Sequence, residues 1–238
     1  MKISLIIPIY NEERVISNTI REINLFLDSE EDQWEIILVD DGSTDNTLEI
    51  IKSLKSDSIK ILHYKNNKGK GFAIKKGVER ASGDHICFID SDLAYSFDNL
   101  KNLLKQLKFF EIVIGSRNLG TDNHENISML RRILGRGFSV LSNFILAYNI
   151  EDTQCGLKAF RGDVAKKLFS KQTLMGFSFD AEVLYLARKR NYSLALEKAV
   201  VSKKHITKNS KVNLLLDPLK MFKDLIKIRI NDLLGKYE

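Results

Sequence analysis

Five short apolar runs constrain this chain more than any other feature: Ile3–Ile7, Glu35–Val39, Lys60–His63, His85–Ile89 and Ile112–Ile114. Each is rich in β-branched residues and nearly continuously apolar, the pattern of a parallel strand covered on both faces. Helical periodicity fills the gaps over Glu13–Leu27, Thr47–Leu54, Gly71–Ala81 and Asn99–Leu107. Asp45 or Asn46 is placed to cap the second of these helices and Ser96 the fourth. A chain that alternates in this way folds as a doubly wound, mostly parallel α/β sheet with right-handed crossovers. Beyond residue 116 the alternation breaks. A basic, apolar helix starts near Ser128, strand–helix–strand returns over 151–207, and Asn213–Leu234 reads as one long amphipathic helix.

Acidic residues stand where the strands should emerge. Pro8-Ile9-Tyr10-Asn11-Glu12 follows the first run, Asp40-Asp41-Gly42-Ser43-Thr44-Asp45 the second, and Asp90-Ser91-Asp92 the fourth. Open α/β sheets bind ligands outside the carboxyl ends of their strands. Three carboxylate-bearing loops on that edge suit a polar ligand, above all a metal-bound diphosphate. Turn and capping chemistry accounts for Gly42 and Ser43, but not for two adjacent acids at a strand end. Lys68-Gly69-Lys70-Gly71 is a basic loop opening a helix without Walker-A spacing, which argues against a P-loop nucleotidase.

The formal charge of +6 favours an anionic partner. No aromatic platform on a basic strand and no helix-turn-helix signal accompanies it, so nucleic acid is excluded as the partner. Cys87 and Cys155 are too few and too separated for a disulfide framework, which fits a reducing cytoplasm. The apolar stretches are too short to span a bilayer, and no signal-peptide cleavage pattern precedes Asn11.

Pro8 to Glu12, Val39 to Asp45, Asn67 to Gly71, Asp90 to Leu93, Gly115-Ser116-Arg117 and Asp152 to Gly156 occur in this order over about two thirds of the chain. Together they resemble the inverting family 2 glycosyltransferases of GT-A type, and within them the dolichyl- or polyprenyl-phosphate hexosyltransferases. Asp152-Thr153-Gln154-Cys155-Gly156-Leu157-Lys158 is most similar to the dolichyl-phosphate glucosyltransferase branch. The resemblance implies a Rossmann-like GT-A domain over 1–207, with a nucleotide-sugar half (1–115) and an acceptor half (116–207), followed by the amphipathic helix (208–238). It implies transfer of a hexose, glucose favoured, from UDP-glucose or, alternatively, GDP-mannose to a polyprenyl phosphate. The reaction would need Mg²⁺ or Mn²⁺, and the chain would sit peripherally at the cytoplasmic face of a membrane. Two other readings compete: a family 2 enzyme with a soluble or glycan acceptor, and a nucleotide-sugar-binding protein without catalysis.

Residue by residue, the resemblance makes Asp90 and Asp92 the metal carboxylates, with Asp92 catalytic and His205 a late metal ligand. A lone histidine after a strand also serves as an ordinary structural residue. Ala94 departs from mannosyl-type relatives, which often carry an amide side chain there. Pro8, Tyr10, Asn11, Glu12, Asp40, Asp41, Lys70, Asp90 and Ser91 are expected around the donor. Arg117, Arg131 and Arg132 are expected on the acceptor phosphate, since arginine suits bidentate phosphate recognition, while Arg136 fits an exposed helix face. Asp152 would orient the acceptor or act as base. Asp180 and Glu182 are alternative bases, although acids opening a helix commonly serve its dipole. In the tail, Leu215, Leu219, Phe222, Ile226, Ile230 and Leu233 form one stripe beside Lys220, Lys223 and Lys227. That stripe either meets a membrane interface or packs on its own domain, and Phe138–Tyr148 adds further apolar surface.

Overall fold

Leu5, Ile6 and Ile7 in the first strand and Ile36, Ile37, Leu38 and Val39 in the second have no exposed surface, as a strand covered on both faces requires. In the computed structural model the described residues are 1–54, 58–116, 129–146, 150, 152–153, 155–199 and 216–238, with only the backbone described over 129–136 and 216–218. The strands are β1 (Lys2–Ile9), β2 (Gln33–Asp40), β3 (Ile59–His63), β4 (His85–Phe88), β5 (Ile112–Ser116), β6 (Lys158–Arg161) and β7 (Leu194–Lys198). They form one sheet in the order β3-β2-β1-β4-β6-β5-β7. The helices are α1 (Ile16–Leu27), α2 (Thr47–Ser53), α3 (Lys70–Arg80), α4 (Phe97–Gln106), α5 (Met129–Leu146), α6 (Gly162–Lys171), α7 (Phe179–Lys189) and α8 (Leu216–Leu233).

The five apolar runs and four early helices lie where the sequence puts them, within a few residues at their ends. Ser96 caps α4 by accepting from the Asn99 amide. At α2 the cap position is Asn46, but it is Asp45 that accepts from the Thr47 amide, at 3.0 Å. The second half differs in two respects. Where one helix was expected between the last two strands there are two, α6 and α7, separated by residues 172–178. And β6 is antiparallel to both of its neighbours, β4 and β5.

That reversal matters for the site. The other strands end at the ligand-binding edge, whereas β6 begins there. Its first residue, Lys158, pairs with Phe88 at the end of β4 and with Ile114 of β5. The segment leading into β6 therefore runs along the edge, beside the loop after β4.

An aromatic cluster fixes the elements around that point. Phe88 (β4), Phe160 (β6), Phe169 (α6) and Phe179 (α7) are buried, with ring centroids 5.7 to 6.4 Å apart. Each buried phenyl group contributes ~1.5–3 kcal/mol, so the start of α7 is held firmly against β4 and β6.

Helix α8 packs on α5 and α7. It turns Leu225, Ile228 and Asn231 inward, and Tyr237 beyond it is buried as well. Among the described residues no helix is long and apolar enough to cross a membrane.

Candidate active site

The loops after β1 and β2 are zipped together by their own side chains. Asn11 takes a left-handed conformation (φ 51°), which asparagine tolerates better than most residues. Its amide donates to Ser43 Oγ (2.9 Å), and the Thr44 amide donates back to Asn11 Oδ1 (2.8 Å). Glu12 spans to the third acidic loop, where its Oε1 accepts from Ser91 Oγ at 3.1 Å. Thr19 Oγ1 donates to the Ser91 carbonyl at 2.6 Å, so the loop after β4 is anchored to α1. Pro8 lies within β1, opposite Val39, and Tyr10 follows at the strand's end.

Asp40 and Asp41 are both buried. Asp40 Oδ2 lies 2.7 Å from His63 Nδ1, and Asp40 Oδ1 accepts from the Ser43 amide. The Asp41 carboxylate accepts from Tyr64 Oη (2.6 Å), Asn67 Nδ2 (2.9 Å) and the amides of Lys68 (2.8 Å) and Gly69 (2.9 Å). Four donors nearly fill a carboxylate's accepting capacity. Asp41 thus holds the 67–69 turn from which α3 starts. Burial, and then the neighbouring Asp41 carboxylate, push the Tyr64 phenol far above its ordinary value and keep it a donor.

Asp90, Asp92, Lys70, Asp180 and Lys158 form the charged centre of the edge. Lys70 Nζ meets Asp90 Oδ1 at 2.5 Å, and Lys158 Nζ meets Asp180 Oδ1 at 2.7 Å while donating to the Cys155 carbonyl at 2.6 Å. Asp92 Oδ1 accepts from the Ala94 amide at 3.1 Å. Burial, and then the negative charge of Asp90, raise the Asp92 carboxyl above its ordinary value. Burial would lower the Lys70 ammonium, but Asp90 and then Asp180 outweigh it and hold the group above the ordinary lysine value. For Asp180, burial prevails over the nearby Lys158 and Lys70 and raises the carboxyl.

The pair Asp90 and Asp92 fits a hard divalent cation: two carboxylates at one strand end repel each other, and one of them already attracts an ammonium group. Among the described residues no group of three or more His, Cys, Asp or Glu converges on a metal position. Two carboxylates leave room for further oxygen ligands, as cations bound to phosphate substrates commonly require.

Residues 4–169 match the family model for glycosyl transferase family 2. The chain belongs to that family. It is 32% identical to the dolichyl-phosphate beta-glucosyltransferase of Dictyostelium discoideum over 249 residues, covering 98% of this chain and 75% of that protein. It is 34% identical to the Saccharomyces cerevisiae protein of the same name over 258 residues, covering 99% and 76%. Among solved structures, glucosyl-3-phosphoglycerate synthase from Mycobacterium tuberculosis, in complex with Mn²⁺, UDP and glucosyl-3-phosphoglycerate, aligns with a TM-score of 0.67 at 19% identity, covering 99% of this chain and 79% of that one. The fold is GT-A, and the family 2 chain is a hexosyltransferase.

In this family 2 enzyme, Asp152 is buried with φ 50°, and its carbonyl accepts from the Cys155 amide. Ser116 closes β5 and is fully buried. Arg117, Gln154 and His205 lie outside the described residues. Arg131, Arg132 and Arg136 fall on the backbone of α5, in the part whose side chains are not described.

Of the two alternative bases, Glu182 is fully buried and accepts from the Thr173 amide and hydroxyl, the Leu174 amide and Tyr237 Oη. It ties α7 to residues 173–174 and to Tyr237, a structural duty. Lys158 and Gly156 are the members of the site whose roles the sequence reading missed. The available signal was a lysine set inside the apolar string Leu157–Phe160, where only a paired charge is tolerated.

Proposed function

We propose that this enzyme transfers glucose, with inversion, from UDP-glucose to a polyprenyl phosphate such as dolichyl phosphate at a membrane surface, with Mg²⁺ or Mn²⁺ held by Asp90 and Asp92. The observation that carries this reading is the charged centre of Asp90, Asp92 and Lys70 at the carboxyl edge of a family 2 GT-A sheet. The names of the relatives support the sugar and the acceptor, and the Mn²⁺ and UDP in the synthase complex support the cofactor and the donor base.

The bound cation would offset the charge that builds on the leaving diphosphate. The rest falls to the chain. Tyr10 and Glu12 bracket the nucleobase, Asp40 and Asp41 shape the ribose side, and Asn11, Pro8 and Ser91 hold those loops in register. Arg117, Arg131 and Arg132 fix the acceptor phosphate with charge-assisted hydrogen bonds. His205 would add a further ligand to that cation. A phosphate monoester has a second pKa of ~6 and arrives mostly ionised, so little proton removal is needed. Asp152 then orients the nucleophile more than it activates it.

Helix α8 supplies the membrane contact. Leu219, Phe222, Ile226, Ile230 and Leu233 are exposed along one side, with Lys220, Lys223 and Lys227 exposed nearby. An apolar stripe with flanking lysines suits the interface of an anionic bilayer, and a peripheral position on the cytoplasmic leaflet follows from that charge.

A donor screen tests the reading. UDP-glucose, GDP-mannose and UDP-galactose are each offered with polyprenyl phosphate or a soluble phosphorylated acceptor, with Mg²⁺ or Mn²⁺. Lipid-linked glucose from UDP-glucose alone is expected. Transfer only to the soluble acceptor would move the enzyme to another branch of the family.

A further inference from the structure

Lys70 is the first residue of α3, and the glycines on either side fix where it stands. Gly69 has φ 99°, and a Cβ built there would lie 2.6 Å from the Met175 carbonyl oxygen. A Cβ on Gly71 would lie 2.6 Å from Cβ of Phe179 and 2.9 Å from the carbonyl oxygens of Leu174 and Gly176. The Phe72 amide donates to the Met175 carbonyl at 3.0 Å, closing the contact. The turn is thus pressed against residues 174–176 and α7, and Lys70 moves only through its side-chain torsions. Its Nζ rests on Asp90, with Asp180 and Asp92 adding attraction. The other ammonium group, on Lys158, is engaged by Asp180 and the Cys155 carbonyl. Lys70 is the cation that sits on a carboxylate the metal needs.

Resting on the reading of Asp90 and Asp92 as cation ligands, we propose that Lys70 is a displaceable counter-ion, neutralising Asp90 before the metal arrives and passing to the donor diphosphate as metal and nucleotide enter. Without such a group, the mutually coupled carboxylates Asp90, Asp92 and Asp180 would have, among the ammonium groups of the described residues, Lys158 paired with Asp180 to offset them. With it, a divalent cation arriving alone must displace an ammonium ion or crowd against it. The diphosphate relieves that conflict, because its negative charge accommodates the cation and the ammonium together. Metal and nucleotide then strengthen each other's binding reciprocally.

Calorimetric titration of Mn²⁺ into the full chain, with and without UDP, tests this on the wild type, Lys70→Met and Lys70→Arg. Removing a positive charge within a few ångströms of the ion should tighten Mn²⁺ binding without UDP at least ~10-fold in Lys70→Met. The gain in Mn²⁺ affinity that UDP confers should shrink in the same variant. Lys70→Arg keeps the charge and should stay close to wild type in both titrations. Unchanged or weaker Mn²⁺ binding by Lys70→Met, in a protein whose wild type binds Mn²⁺ with UDP, overturns the counter-ion role alone. A wild type that binds no Mn²⁺ even with UDP overturns the metal reading as well.

Discussion

A Cβ built on Gly156 would lie 2.1 Å from Oδ2 of Asp90 and 2.8 Å from its carboxyl carbon. The segment entering β6 therefore passes directly behind the Asp90 carboxylate, and only a residue without a side chain fits there. Asp90 is confined between that backbone and Lys70, which contacts its other oxygen. This is the physical content of the Cys155-Gly156 dipeptide: its backbone shapes the position of Asp90.

Gly156→Ala should accordingly separate activity from stability. The obstructing atoms belong to the tip of a side chain, which can rotate, so unfolding free energy should fall by only ~1–2 kcal/mol. Asp90 would leave its position, and turnover should fall ~100-fold with weakened Mn²⁺ dependence. Steady-state rates against Mn²⁺ concentration, beside urea unfolding, check this. Loss of folding with no change in specific activity per folded molecule would contradict it.

The far edge of the sheet carries a charge whose role is stability. Glu35 is buried, ion-paired with Lys60, and accepts from Ser4 Oγ (2.5 Å) and from the Ser82 amide (2.5 Å). Burial opposes ionisation, but these bonds prevail and lower the carboxyl from 4.5 to about 2. A depressed folded-state pKa stabilises fully above the unfolded value and fades as pH falls through the folded one. The contribution, on the order of 3 kcal/mol, should therefore be intact at pH 6 and decline from pH 4.5 towards pH 2. Glu35→Gln should lose most of it at pH 6 and differ little from wild type near pH 2. Denaturant unfolding across that range measures it, and a pH-independent deficit would contradict the linkage.

Helix α8 has two apolar sides with different fates. Leu225 and Ile228 are fully buried, whereas Leu233 is 84% and Leu219 65% exposed. Leu225→Ala or Ile228→Ala should cost ~2–4 kcal/mol of stability and leave vesicle binding per folded molecule unchanged. Phe222→Glu with Ile226→Glu should keep the fold and weaken flotation with anionic vesicles. The lysine contribution should fade as added salt shortens the Debye length below ~8 Å. Equal flotation of the double variant would move the membrane contact elsewhere.

This pairing of faces shows where the sequence is legible and where it is not. Periodicity found the stripe from Leu219 to Leu233, but hydrophobicity does not say which side of a helix finds a partner. The inward side is narrower and includes Asn231, which donates to Thr173 Oγ1 at 3.0 Å. The strands β1 to β5 were legible because parallel strands covered on both faces leave uninterrupted β-branched runs. A strand after residue 151 was expected, but the bounds and direction of β6 were not legible, because four residues with a charge at each end carry no period, and its antiparallel insertion is decided by distant neighbours. In the site, the acids do stand where β1, β2 and β4 end, yet their spacing could not distinguish Asp41, committed to the 67–69 turn, from Asp90, which pairs with Lys70. Neither could it reveal Lys158, whose pairing with Asp180 joins residues far apart in the chain.

Glu182→Ala should destabilise without altering the chemistry. It would strip acceptors from the Thr173 and Leu174 amides, the Thr173 hydroxyl and Tyr237 Oη. Each buried donor left unpaired costs ~1–3 kcal/mol, so the melting temperature should drop by several degrees or more. The pH profile of the remaining folded enzyme should match wild type, and a lost acidic limb would restore Glu182 as a catalytic base.

The most direct measurement follows radiolabelled glucose from UDP-glucose into a lipid-linked product on polyprenyl phosphate, comparing wild type with Asp92→Asn in Mn²⁺ and in excess chelator. Wild type in Mn²⁺ should make the product. Chelation of wild type and the Asp92→Asn substitution should each lower the rate at least ~100-fold, because both remove the cation's hold on the leaving diphosphate. Lipid-linked glucose formed by Asp92→Asn in chelator at the wild-type rate would contradict the account.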